Sequence, residues 1–135
     1  GILLTFMGAA VAHVTKKIAL MCDSSMETEQ VASSKATEII EFAVEVMRAI
    51  GVPTTAPVSL YTDNKANMLV AMDSGSASRA RHLLRRYVAM QQRISSGVIK
   101  LLKVADPKNP ADWLTKWTTK AKVAESERYA TGSVE

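Results

Sequence analysis

The chain is poor in cysteine, in aromatic groups and in histidine. Its one cysteine, Cys22, stands alone among 135 residues, which excludes an internal disulfide and a zinc site built of thiolates. A reducing setting follows as the expectation, cytoplasmic or nuclear and not secreted. His13 and His82 are the only imidazoles, and neither stands in a nucleophile or zinc motif. No glycine-rich phosphate loop and no metalloprotease helix motif occurs. The uncharged start, residues 1–14, is too short to span a bilayer and has no basic leader. The chain opens on glycine and not methionine, and is expected to be an excised piece of something longer. Acid is missing entirely from residues 74–105.

What is present suits a globular domain. Hydrophobic residues make up 47% and charged residues 22%, enough apolar surface to build a core and too much for disorder. The net charge is +4, from 17 Lys and Arg against 13 Asp and Glu. Its distribution says more than its size. The acid-free stretch holds Arg79, Arg81, Arg85, Arg86, Arg93, Lys100 and Lys103. Residues 22–48 reverse the balance, with Asp23, Glu27, Glu29, Glu38, Glu41 and Glu45 facing only Lys35 and Arg48. An acidic half beside a basic half suits a site that holds cations and grips a phosphate backbone; two solvated helix faces of opposite sign would read the same way.

Periodicity and breakers predict short strands over 2–6 and 11–15, joined by a turn near Gly8. A long helix is predicted from Ser24, with Glu27 completing a capping box, to Ile50, where Gly51 and Pro53 stop it. A strand over 57–61, a short helix over 63–72, a helix over 78–95 and a strand over 98–104 follow. Asn109 and Pro110 open a last helix, and residues 121–135 are expected to fray. The domain is thus placed at 1–120, with strands and helices mixed in the order of a layered α/β fold.

Three acids stand out, each with an ordinary structural explanation beside it. On the long helix, Ala32, Ala36, Ile39, Ile40, Ala43, Met47 and Ile50 form an apolar stripe, while Glu27, Ser34, Glu38, Glu41 and Glu45 form the opposite one. Glu29 projects onto the apolar stripe, where a carboxylate needs a cation or an open first turn. Asp63 ends a strand, a common place for ligand groups in layered sheets, and is equally a good helix N-cap. Asp112 lies three residues after Asn109, a position that a capping role alone explains. Carboxylates from a helix, a strand end and a helix start can hold hard cations such as Mg²⁺. Two such ions about 4 Å apart hydrolyse phosphodiesters. Trp113, Trp117 and Tyr87 could stack on bases; their helical spacing favours the core.

The order of these motifs resembles the ribonuclease H domain of copia-type retrotransposon Pol polyproteins. Residues 24–32, Ser-Ser-Met-Glu-Thr-Glu-Gln-Val-Ala, resemble that family's Ser-Ser-Thr-Glu-Ala-Glu-Tyr-Val-Ala. Tyr61-Thr62-Asp63-Asn64 is similar to its Tyr-Cys-Asp-Asn. Ser78-Arg79-Ala80-Arg81-His82, followed by Arg86-Tyr87, is similar to its Ser-Arg-Thr-Lys-His…Arg-Tyr helix. The strand Gly97-Val98-Ile99-Lys100-Leu101 matches Gly-Glu-Ile-Glu-Leu, and Ala111-Asp112-Trp113-Leu114-Thr115-Lys116 looks like Ala-Asp-Ile-Leu-Thr-Lys. The resemblance covers nearly all of residues 1–120. Asp23 and Gln30 depart from the pattern, where the family has an apolar residue and Tyr.

The resemblance implies a ribonuclease H-like mixed sheet flanked by helices, with the first, central strand and its catalytic Asp falling upstream of Gly1. It implies a metal-dependent endonuclease that degrades the RNA of RNA–DNA hybrids during reverse transcription, working beside the remainder of the Pol polyprotein. Glu29, Asp63 and Asp112 would hold two Mg²⁺ ions, with Mn²⁺ as a substitute, and would converge at one end of the sheet while Glu27 points to solvent. Arg79, Arg81, His82, Arg85 and Arg86 would contact the hybrid. The alternative is a non-catalytic ribonuclease H-like module that binds nucleic acid or acts as a scaffold.

Overall fold

A computed structural model of the chain describes residues 1–17, 25–63, 81–105 and 108–133, with side chains starting at Glu27 in the first helix and Arg85 in the second. It divides into two compact units, Gly1–Ala19 with Val104–Glu135, and Leu20–Lys103.

The first unit is built on a hairpin of β1 (Ile2–Phe6) and β2 (Ala9–Val14), paired antiparallel from Ile2↔Val14 to Phe6↔Ala9. Met7 and Gly8 close it with φ of 51° and 85°, the positive values that a two-residue turn needs to follow the twist of its strands. A register shift between Leu4 and Thr5 leaves Val11 as the extra residue on β2, and its side chain is exposed. The residues expected to fray form a helix instead, Lys120–Thr131. Thr119 caps it by accepting a hydrogen bond from the Lys122 backbone N–H at 3.3 Å, and Gly132 ends it at φ 72°. This helix packs on β2, and Ser126 is its buried residue. The helix expected from Asn109 shrinks to a single 3₁₀ turn, Asp112–Leu114.

The second unit begins with α1 (Ser25–Ala49). Strand β3 (Val58–Thr62) and strand β4 (Ile99–Lys103) pair in parallel, from Val58↔Ile99 to Thr62↔Lys103. Parallel strands need a crossover, and the crossover contains α2 (Arg81–Ser95); the C-terminal helix Lys120–Thr131 is therefore α3. Met90 and Leu101 form the centre of the core, with Leu60 and Ile94 packed on them. Ala36, Ile40, Tyr87 and Ile99 are also buried. Tyr87 is therefore a core residue.

The resemblance implies a mixed sheet that lacks its central strand; among the described residues there are two sheets of two strands each, β1–β2 and β3–β4, and no described strand pairs with both. The helix predicted over 63–72 lies outside the described residues. One expectation is corrected here. The buried face of α1 is rotated by roughly one residue, about 100°, from the predicted stripe. It carries Gln30, Ser33, Ser34, Ala36, Thr37 and Ile40, while Ile50 is 67% exposed beside exposed Phe42 and Val46. Small hydroxyl side chains let α1 approach its neighbours closely, and they can satisfy themselves on their own helix. Thr37 Oγ1 does so, donating to the Ser34 carbonyl at 2.8 Å.

Helices α1 and α2 pack together and are tied by a fork. Arg93 Nε and Nη2 donate to Glu41 Oε1 and Oε2, each at 2.7 Å. Glu41, placed by periodicity on the solvent face, is thus half-buried and paired. The guanidinium holds the Glu41 carboxyl below its ordinary range, and the carboxylate raises Arg93.

Helices α1 and α2 end alike. Gly51 and Gly97 have φ of 76° and 71°. The N–H of Gly51 bonds the Arg48 carbonyl and that of Val52 the Met47 carbonyl; Gly97 to Ile94 and Val98 to Arg93 repeat the pattern. This double closure requires the left-handed conformation. An added Cβ at Gly97 meets nothing within 4 Å, so Gly97→Ala is expected to cost about 1–2 kcal/mol through the backbone alone, read from the urea midpoint. Glu41→Gln is expected to cost up to about 1 kcal/mol at pH 7, since the pair is partly solvated. A carboxyl depressed by folding stabilises above its unfolded pKa and loses that contribution as pH falls through the folded value. The gap between wild type and Glu41→Gln should therefore close in acid when melting is followed against pH.

Candidate functional site

In the second unit, Glu29 lies early on α1 and is half-buried. The rotation of the buried face puts it on that face's flank, in line with Ala36 and Ile40. Glu27, expected to point to solvent, is half-buried as well, so burial does not separate the two glutamates. Asp63 follows the last residue of β3. Thr62 before it is buried and Asp63 is half-buried. Helix α1 packs against β3, so these two acids sit on elements in contact.

Asp112 belongs to the other unit and is 8% exposed. Asn109 Nδ2 donates to its Oδ1 at 3.3 Å, and Asn109 Oδ1 accepts from the Ala111 N–H at 3.1 Å. Lys116 Nζ lies 3.1 Å from Oδ1, and Lys122 Nζ lies 3.8 Å from Oδ2. Lys122 is itself mostly buried, whereas Lys116 is half-exposed. A buried carboxylate must be paired, and here two ammonium groups do it. The Asn109–Asp112 bond is the capping-type contact that the spacing predicts; the two lysines are additional to it. Lys116 stands four residues on, a spacing legible on a helix wheel. Lys122 arrives with α3, a helix that its polar composition conceals.

The basic set divides. Arg79 lies outside the described residues. Arg81 and His82 open α2, without described side chains. Arg85 is exposed. Arg86 is half-buried, with Nη1 fully buried and lacking a hydrogen-bond partner. Arg93, part of the same acid-free run, is engaged by Glu41 and is not free for a ligand.

No metal-holding group of three His, Cys, Asp or Glu occurs among the described residues. Carboxylates such as Glu29, Asp63 and Asp112 offer the oxygen ligands that Mg²⁺ takes. A cation at Asp112 would have to displace Lys116 or Lys122. Among the described residues no helix is long and apolar enough to cross a membrane.

No protein-family profile and no solved structure matches the chain. The chain is similar to a retrovirus-related Pol polyprotein from transposon TNT 1-94 of Nicotiana tabacum, 26% identical over 116 residues. The match takes in 86% of this chain and 9% of that polyprotein. It supports an origin in a retrotransposon Pol polyprotein, of which this chain spans a small part.

Proposed function

We propose that the chain is part of a ribonuclease H-type endonuclease that degrades the RNA strand of RNA–DNA hybrids within a retrotransposon Pol polyprotein. The observation that carries the reading is the similarity to a Pol polyprotein along 86% of the chain, together with the order of the motifs bearing Glu29, Asp63, the α2 arginines and Asp112. The exposed Arg85 and its neighbours on α2 bind the sugar–phosphate backbone, whose recognition is largely electrostatic. Glu29, Asp63 and Asp112 would hold Mg²⁺ through carboxylate oxygens, and a cation at Asp112 would displace Lys116 or Lys122. Bound divalent ions supply an activated water and stabilise the leaving oxygen. A non-catalytic nucleic-acid-binding or scaffolding module is the second reading, favoured by the pairing of Asp112 with Lys116 and Lys122.

Calorimetric titration of Mg²⁺ into the chain, with and without an RNA–DNA hybrid, separates the two readings. The nuclease reading expects binding that Asp63→Asn removes. In a Pol polyprotein that carries this chain and cleaves hybrids, Asp63→Asn is expected to abolish cleavage and leave hybrid binding largely unchanged; undiminished cleavage would exclude the assignment. Arg85→Ala with Arg86→Ala is expected to weaken hybrid binding and to flatten its salt dependence, by up to about 0.9 in log–log slope for each phosphate no longer neutralised. Asp112→Ala in metal-free buffer is expected to cost about 3 kcal/mol, because it leaves Lys122 buried without its carboxylate. An unchanged melting temperature there would show that Asp112 does not anchor α3.

A further inference from the structure

Trp113 and Trp117 are the two tryptophans of the chain, and the structure puts neither in the core. Trp113 lies in the 3₁₀ turn and is 40% exposed; Trp117, in the stretch leading into α3, is fully exposed. Large aromatic side chains normally carry much of a core, so two exposed within five residues mark a surface that meets something.

The surroundings say what it meets. Residues 108–122 hold four lysines, Lys108, Lys116, Lys120 and Lys122, and one acid, Asp112. That acid is buried and faces Lys116 and Lys122, so the segment presents positive charge with its only negative charge already matched. Lys108, Lys116 and Lys120 are exposed, and so is Thr115. Along the sequence the tryptophans stand among polar and cationic residues, with exposed lysines on either side. Aromatic rings interleaved with lysines match a single nucleic-acid strand: unpaired bases stack on the rings while ammonium groups follow the phosphates. A duplex keeps its base faces stacked on one another and offers the rings nothing.

We infer that the segment from Lys108 to Lys122, with Trp113 and Trp117 at its centre, is a platform for unpaired, single-stranded DNA or RNA. It is distinct from the hybrid contact assigned to α2 and does not rest on the nuclease reading.

The test uses the 135-residue chain, whose tryptophan emission comes from this platform alone. Twelve-nucleotide oligodeoxythymidylate should quench that emission, and the same length of duplex should not. By anisotropy of a labelled oligonucleotide, Trp117→Ala should weaken binding about 5- to 150-fold, the range for loss of one stacked base. Trp117→Phe should recover part of the loss. Lys120→Gln should flatten the log–log salt slope by about 0.7. Trp117 is fully exposed, so circular dichroism should show both variants folded. Hybrid binding should be insensitive to Trp117→Ala and sensitive to Arg85→Ala, which separates this platform from α2. Absence of quenching at low salt, equal quenching by duplex, or equal quenching by polyglutamate would each overturn the inference, the last by identifying a site that reads charge alone.

Discussion

Parallel pairing of β3 with β4 is the constraint from which the larger unit follows. Two parallel strands cannot be joined by a tight turn, so the chain must leave Thr62, cross over and return at Ile99, and α2 lies on that crossover. A two-stranded sheet is too narrow to bury a core by itself. Its apolar side chains, Leu60, Ile99 and Leu101, are covered by Tyr87, Met90 and Ile94 of α2 and by α1. The helices must then lie close together, and the small hydroxyl face of α1 allows it. Arg93 and Glu41 bond across the edge of that contact, where partial exposure limits the desolvation cost while the fork keeps its geometry.

Charge is organised by the same shortage of core. The acidic and basic halves of the sequence are not simply two solvated faces, nor are they wholly reserved for a ligand. Glu41 takes Arg93 within one unit, and Asp112 takes Lys116 and Lys122 within the other. These pairs neutralise part of the charge of each half. What remains is sorted by element. Arg85 stands exposed on α2, and the lysines around the two tryptophans stand exposed before and at the start of α3. Each unit thus keeps a cationic surface of its own, one bare and one aromatic. The two binding modes proposed above differ because only unpaired bases have faces to offer an aromatic ring.

Asp112 shows how one residue can satisfy two descriptions. Its spacing from Asn109 is that of a cap, and the Asn109–Asp112 contact has that form. Its place in the Ala-Asp-Trp-Leu-Thr-Lys segment resembles that of a catalytic carboxylate. The lysines decide what the side chain does in this structure: it anchors α3.

Much of the local structure was legible in the residues. The turn near Gly8, the closure of α1 at Gly51, and the strand character of 58–62 and 99–103 all depend on interactions between near neighbours in sequence, which pattern and propensity report. The α3 helix was legible too, in Thr119 and Gly132 bracketing twelve residues, but a polar composition that reads as a tail concealed it. Tertiary contacts decided the rest. The face of α1 that is buried depends on what packs against it, and small polar residues such as Ser34 and Thr37 can go either way. The partners of Glu41 and Asp112 lie on other elements, and no period within one helix encodes an element elsewhere. Trp117 stays exposed for the same reason: burial is a property of the neighbours that arrive, and the sequence around a tryptophan names only the neighbours it was born with.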